Sequence, residues 1–114
     1  MQRDPRIFLQ DVLDAASSIE TYLEGIDELA FVDNEMVQSA VFYQFAIIGE
    51  ALNNLSRAAP DLAKEIVDLR RATDFRNILT HAYHRVSPEL VYTYASQLLP
   101  KLKSNIASLL AKMG

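Results

Sequence analysis

The chain has 114 residues and a mass of 12.8 kDa, the size of one domain, with half its residues apolar and 23% charged, a globular rather than a disordered balance. The absence of cysteine excludes a disulfide framework, a thiolate nucleophile and a Cys-ligated zinc site, and a net charge of −4 argues against coating nucleic acid by charge alone. No apolar run exceeds four residues and the start, Met1 to Arg6, is charged, so neither a membrane span nor a secretory signal is expected, and the reading is one soluble, cytoplasmic domain over residues 1–114.

Prolines and glycines divide the chain into helices. Asp4-Pro5 and Ser87-Pro88-Glu89 each set a capping side chain before a proline, the arrangement that opens a helix, and Pro60-Asp61 can open another. A first helix is predicted from Pro5 to about Glu24, with Phe8, Val12, Ala15, Ile19, Tyr22 and Ile26 on one face. Gly25 interrupts it, and 26–32 reads as a connection with a turn of helix. Asp33 or Asn34 can cap a second helix to about Ala58, with the stripe Val37, Val41, Phe45, Ile48, Leu52 and Leu55. Phe42, Ala46 and Gly49 add a second apolar row, so this helix should bury two sides. A third stretch runs from Pro60 to Ala82 with a break near Asp68. The fourth extends from Ser87 to about Met113, and Pro100 inside it predicts a kink near Leu98–Pro100, because proline removes a backbone hydrogen bond and clashes with the preceding turn. No segment alternates long enough for a strand. The expected fold is an all-α, up-down bundle of four to five helices.

The charge is divided unevenly. Residues 1–56 hold ten acids against Arg3 and Arg6, whereas residues 57–114 hold nine bases against five acids. Arg70, Arg71, Arg76 and Arg85 cluster with both histidines, His81 and His84, against Asp74 alone. Such a stretch suits an anionic ligand or a charged pairing surface. At about 100° per residue, Arg76, Thr80 and Tyr83 form one row, and Asn77, His81 and His84 the adjacent one, with Ile78, Leu79 and Ala82 expected to face the core. A guanidinium, an amide, an imidazole and a phenol on one helix edge suit metal-free phosphodiester chemistry. A neutral imidazole can take the proton of a ribose 2′-hydroxyl while a guanidinium stabilises charge on the phosphate. Taken alone, the same edge also fits a helix end whose Arg and His cap carbonyls and bond to water.

The pattern Arg76-Asn77-x-x-x-His81-x-Tyr83 resembles the signature of the HEPN superfamily, and the tyrosine two positions after the histidine resembles its HepT branch. Phe8–Ala15 is similar to the family's opening helix, Ile48-Gly49-Glu50-Ala51 to its Ile-Gly-Glu-Ala element, and Leu99-Pro100-Lys101-Leu102 to its final Leu-Pro-x-Leu. The resemblance implies a HEPN-type bundle and a metal-independent endoribonuclease without cofactor. It also implies the toxin role in a two-gene module, with RNA as substrate and tRNA the first guess. The implied antidote is a minimal nucleotidyltransferase that transfers AMP onto the motif tyrosine. Carried over, Arg76 and His81 are the catalytic pair, Asn77 supports them, and Tyr83 is the modification target. Arg70, Arg71, His84 and Arg85 are further candidates for RNA contact. The chain departs from many relatives in having no tryptophan, Asp74-Phe75 before Arg76, and His84-Arg85 after Tyr83, which leaves the subgroup and the RNA preference open.

Other readings accompany this one. A non-enzymatic helical module that binds a nucleotidyltransferase and presents its substrate is the alternative function, which the intact Arg76/His81 pair disfavours. A plain oligomeric bundle would instead tie up its basic stretch in internal salt bridges. His81 and His84 could share a metal with Glu50, but the chain lacks Glu-x-x-His and His-Glu-x-x-His spacings, and no metal site is expected. Glu50, in an apolar run, calls for a cationic partner from Arg70–Arg85, with structural pairing preferred and orientation of Arg76 second. Gly49 suits a close helix approach. Phe42, Tyr43, Tyr92 and Tyr94 lie off the main stripes and suggest a second chain, hence a homodimer or higher homo-oligomer.

Overall fold

The computed structural model describes residues 3–82 and 86–113. Helix α1 spans Pro5–Tyr22, α2 Glu28–Val32, α3 Glu35–Ala58, α4 Pro60–Ala63, α5 Leu69–Ala82, α6 Pro88–Thr93 and α7 Leu99–Lys112, with a π-helical turn at Tyr94–Leu98 joining α6 to α7. Among the described residues there is no strand.

Local chemistry sets most boundaries. The Asp4 carboxylate accepts from the backbone N–H of Arg6, Asn34 Oδ1 from that of Val37 and Ser87 Oγ from that of Leu90, so three helices open on side-chain caps. Asp27 caps α2 in the same way through the N–H of Ala30. Gly25, at φ +72°, turns the chain out of α1 in the left-handed region that glycine adopts without a Cβ penalty. That turn ends α1 at Tyr22, two residues short of the expected Glu24.

The third predicted stretch is two helices. After the single turn of α4 the chain unwinds, and Asp68 takes φ 56°, a conformation that aspartate tolerates better than most residues. The intervening segment is docked by Asn105 of α7, whose Nδ2 donates to the Glu65 carbonyl while its Oδ1 accepts from the Val67 N–H. The predicted kink in the last helix takes the form of the π turn, located mainly before Pro100. Proline cannot donate to the carbonyl four residues back, and widening the preceding turn relieves the clash; the Leu99 N–H bonds the Tyr94 carbonyl instead.

Helix α3 is the centre of the bundle. One side buries Val41, Phe45, Ile48, Leu52 and Leu55 against the Phe8, Leu9, Val12, Ala15, Ala16 and Ile19 face of α1, and another side receives α5. Helix α7 covers α1 with Leu99, Leu102, Ile106 and Leu109. Phe75 of α5 is buried edge-on between Phe45 and Tyr94, with ring centroids 5.2 and 4.4 Å away. Tyr92 packs on Phe31 and donates its hydroxyl to the Ile26 carbonyl at 3.0 Å. Tyr92 and Tyr94 are therefore partly buried against this chain's own core, correcting their reading as partner-facing aromatics. Tyr43 remains outside, 67% exposed. Ile78 is also corrected: at 46% exposure it lies beyond the rim of the α5 contact, because Ala72, Phe75 and Leu79 already fill the strip that α5 buries.

Candidate active site

The site is built where α5 crosses α3. Gly49 is buried in that crossing. A Cβ there would overlap the Cβ of Arg76 outright and stand 2.6 Å from its Cγ and 3.3 Å from the Ala72 carbonyl oxygen. The missing side chain lets the stem of Arg76 lie against the α3 backbone, as the close approach expected of Gly49 requires.

One residue further along α3, Glu50 takes the head of the same side chain. Arg76 Nη2 donates to Glu50 Oε2 at 2.8 Å, and Nη1 donates to Asn77 Oδ1 at 3.2 Å. The arginine side chain is left 27% exposed. Glu50 thus has the cationic partner that its sequence context calls for. Asn77, itself exposed, uses Oδ1 as the acceptor for the guanidinium. Thr80, in the Arg76 row, donates its hydroxyl to the Arg76 carbonyl at 2.9 Å.

His81 is exposed in the last turn of α5. Five residues after Arg76, it is rotated by about 140° around the helix axis. Arg70, Asn77 and His81 share one outward stripe by their spacings of seven and four, and all three are exposed. Arg71 is off this stripe: its guanidinium sits 5.6 Å from the centroid of the Tyr94 ring and pairs with Asp68 at 3.8 Å, on the side facing the π turn. Tyr83, His84 and Arg85 lie outside the described residues, and with them the modification target and two of the RNA-contact candidates.

Beyond the Arg76–Glu50 pair the α3–α5 seam opens into a groove of about 300 Å³ lined by Ser39, Phe42, Tyr43, Ala46, Leu79 and Thr80. Reading the sequence by rows marks Phe42 and Thr80 separately; only the packing of two helices makes them neighbours. Among the described residues no group of three His, Cys, Asp or Glu side chains is placed to hold a metal ion, and no helix is long and apolar enough to cross a membrane.

The all-helical bundle, with Arg76-Asn77 and His81 on one helix, agrees with the HEPN type of ribonuclease. The chain belongs to the HepT-like ribonuclease family, whose model, described as "Ribonuclease HepT-like", matches residues 12–109. It is 32% identical to "Putative RNase MJ1380" of Methanocaldococcus jannaschii over 92% of this chain and 95% of that protein. It is 29% identical to "Probable ribonuclease HepT" of Thermococcus cleftensis, over 96% of this chain and 98% of that protein. A third relative, the M. jannaschii "Gamma-glutamylcyclotransferase and putative RNase MJ0434", is 28% identical over 99% of this chain but only 50% of its own length. No solved structure gives a significant match. Although Arg71 and Arg76 are both paired within the chain, as a plain bundle would have them, family membership makes the protein a ribonuclease.

Proposed function

We propose that this protein is a metal-independent endoribonuclease toxin, that it cleaves RNA with Arg76 and His81, and that AMP transfer onto Tyr83 by a minimal nucleotidyltransferase silences it. The observation that carries the reading is the HepT-like motif on α5, with its arginine anchored and its histidine exposed. His81 as a neutral imidazole accepts the 2′-hydroxyl proton. The 2′-oxygen then bonds to phosphorus, the bond to the 5′-oxygen breaks, and that oxygen leaves with a proton from the imidazolium or from water. Arg76 stabilises the charge that builds on the phosphate oxygens, its N–H donors matching a phosphate's geometry. The products end in a 2′,3′-cyclic phosphate and a 5′-hydroxyl.

A homodimer with two α5 helices facing one cleft completes the reading. It would set the Arg76 and His81 edges of two chains along one groove and give a locally positive channel on a protein of negative net charge. Transfer RNA is the first substrate to try, and the cytoplasm is the compartment that this reading assigns. Arg76→Ala and His81→Ala should each abolish cleavage in the presence of EDTA while the circular dichroism of a helical bundle is retained. Full activity in either variant, or a strict requirement for a divalent metal, would defeat the mechanism.

Tyr83 lies seven residues after Arg76, nearly two helical turns, which on a continuous helix returns it to the arginine's side. An adenylate on its oxygen would occupy the path of the RNA backbone and compete for Arg76 through its phosphate. Tyr83→Phe keeps the ring and removes the acceptor oxygen. It should therefore escape silencing by nucleotidyltransferase and ATP, with no adenylate found by mass spectrometry. Silencing that persists in this variant would assign the switch to another residue.

A further inference from the structure

We propose that α3 supplies the positioning element of the active site: Gly49 and Glu50 form a cradle that presets the Arg76 guanidinium, with Glu50 as the positioning residue. The inference rests on the assignment of Arg76 as the group that stabilises the phosphate. Two consecutive residues touch the two ends of one side chain. Gly49 lies against the stem, and Glu50 holds the head at 2.8 Å. A free arginine samples many rotamers, and a catalytic one must lose that freedom before it can stabilise a transition state. Here the loss is incurred on folding.

The ion pair is poorly explained by stability. The Glu50 side chain is 49% exposed, and pairs of that exposure add little to folding. It is also costly for ground-state binding, since a carboxylate beside the phosphate site repels an anionic substrate. What it provides is direction. Of the five guanidinium N–H groups, one is given to Glu50 and one to Asn77, leaving three uncommitted among the described contacts, in a plane set by the two acceptors. A phosphate can engage two of those donors without displacing the carboxylate.

The expected signature is a split between turnover and binding. Glu50→Ala should lower kcat by about 10- to 100-fold, the scale of a misplaced catalytic group, with KM unchanged or lower because a repulsive charge has gone. Glu50→Gln retains an acceptor for Nη2 and should restore most of kcat. The Nη2–H resonance of Arg76, the group that Glu50 accepts from, provides a readout independent of activity: Glu50→Ala should speed its exchange with water and shift it toward the position of a free arginine.

A resonance unchanged in Glu50→Ala would overturn the cradle. A mobile Arg76 with unchanged kcat would overturn its importance for turnover, and a raised KM with normal kcat would make Glu50 part of RNA binding instead. If wild type and Arg76→Ala cleave equally, the assignment of Arg76 fails and the positioning role fails with it. The resonance would then show whether the cradle still holds a structural arginine.

Discussion

At the scale of single residues, the positions that matter most are those where α3 meets Arg76. Gly49→Ala tests the crossing directly. Alanine would gain up to about 1 kcal/mol in helix propensity. Its Cβ, however, meets the first atoms of the Arg76 side chain and the α5 backbone rather than the far end of a flexible side chain, so the two helices must separate. Overpacking of this kind costs about 1–3 kcal/mol. The net expectation is a lower urea midpoint together with impaired cleavage at temperatures where the variant is still folded. A stabilised, fully active Gly49→Ala would mean that the crossing is looser than the structure shows. Glu50 differs in kind, because its half-exposed pair contributes geometry more than stability.

At the scale of elements, α5 is a motif helix held from two directions. Its Arg76 flank meets α3, while Phe75 bridges Phe45 of α3 and Tyr94 in the π turn, and is 2% exposed. Losing this ring leaves a cavity at a three-element junction, and Phe→Ala changes at such sites cost about 3–5 kcal/mol. Phe75→Ala should therefore lower the denaturation midpoint far more than Ile78→Ala, which removes a half-exposed side chain from the same helix. Comparable losses in chemical denaturation would show that Phe75 does not anchor α5. The π turn belongs to this junction: it presents Tyr94 to Phe75 while relieving the strain of Pro100 in α7.

At the scale of the whole molecule, the issue is how an acidic protein handles RNA. The described bundle measures 42 × 28 × 21 Å, and its bases lie mainly in the second half of the chain. On α3, Met36 and Tyr43 are exposed by 81% and 67%, seven residues apart and so on one side of the helix. The proposed homodimer would cover apolar surface of this kind and bring two motif helices together. Static light scattering at micromolar concentration should give a mass near twice 12.8 kDa. A stable monomer at that concentration that still cleaves RNA would rule out the shared cleft.

The sequence by itself determined the helical class, the caps at Asp4 and Ser87, a cap at Asp33 or Asn34 for which the structure uses Asn34, the break near Asp68, the disturbance near Pro100 and the identity of the motif helix. All of these depend on neighbours a few residues apart: a capping oxygen and an N–H, a proline and the preceding turn, apolar residues at helical spacing. A cationic partner for Glu50 was legible too, although the carboxylate is half-exposed and pairs without the burial that its apolar run suggested. Which arginine answers it was decided by the tertiary structure, because Gly49 brings α5 against α3 at Arg76 and turns Arg71 toward Tyr94 instead. The same packing set Tyr92 and Tyr94 against the core and left Ile78 and Tyr43 exposed. Helical periodicity gives the direction of a side chain about its own axis, but not which faces other helices cover; that depends on crossings between residues far apart in the chain.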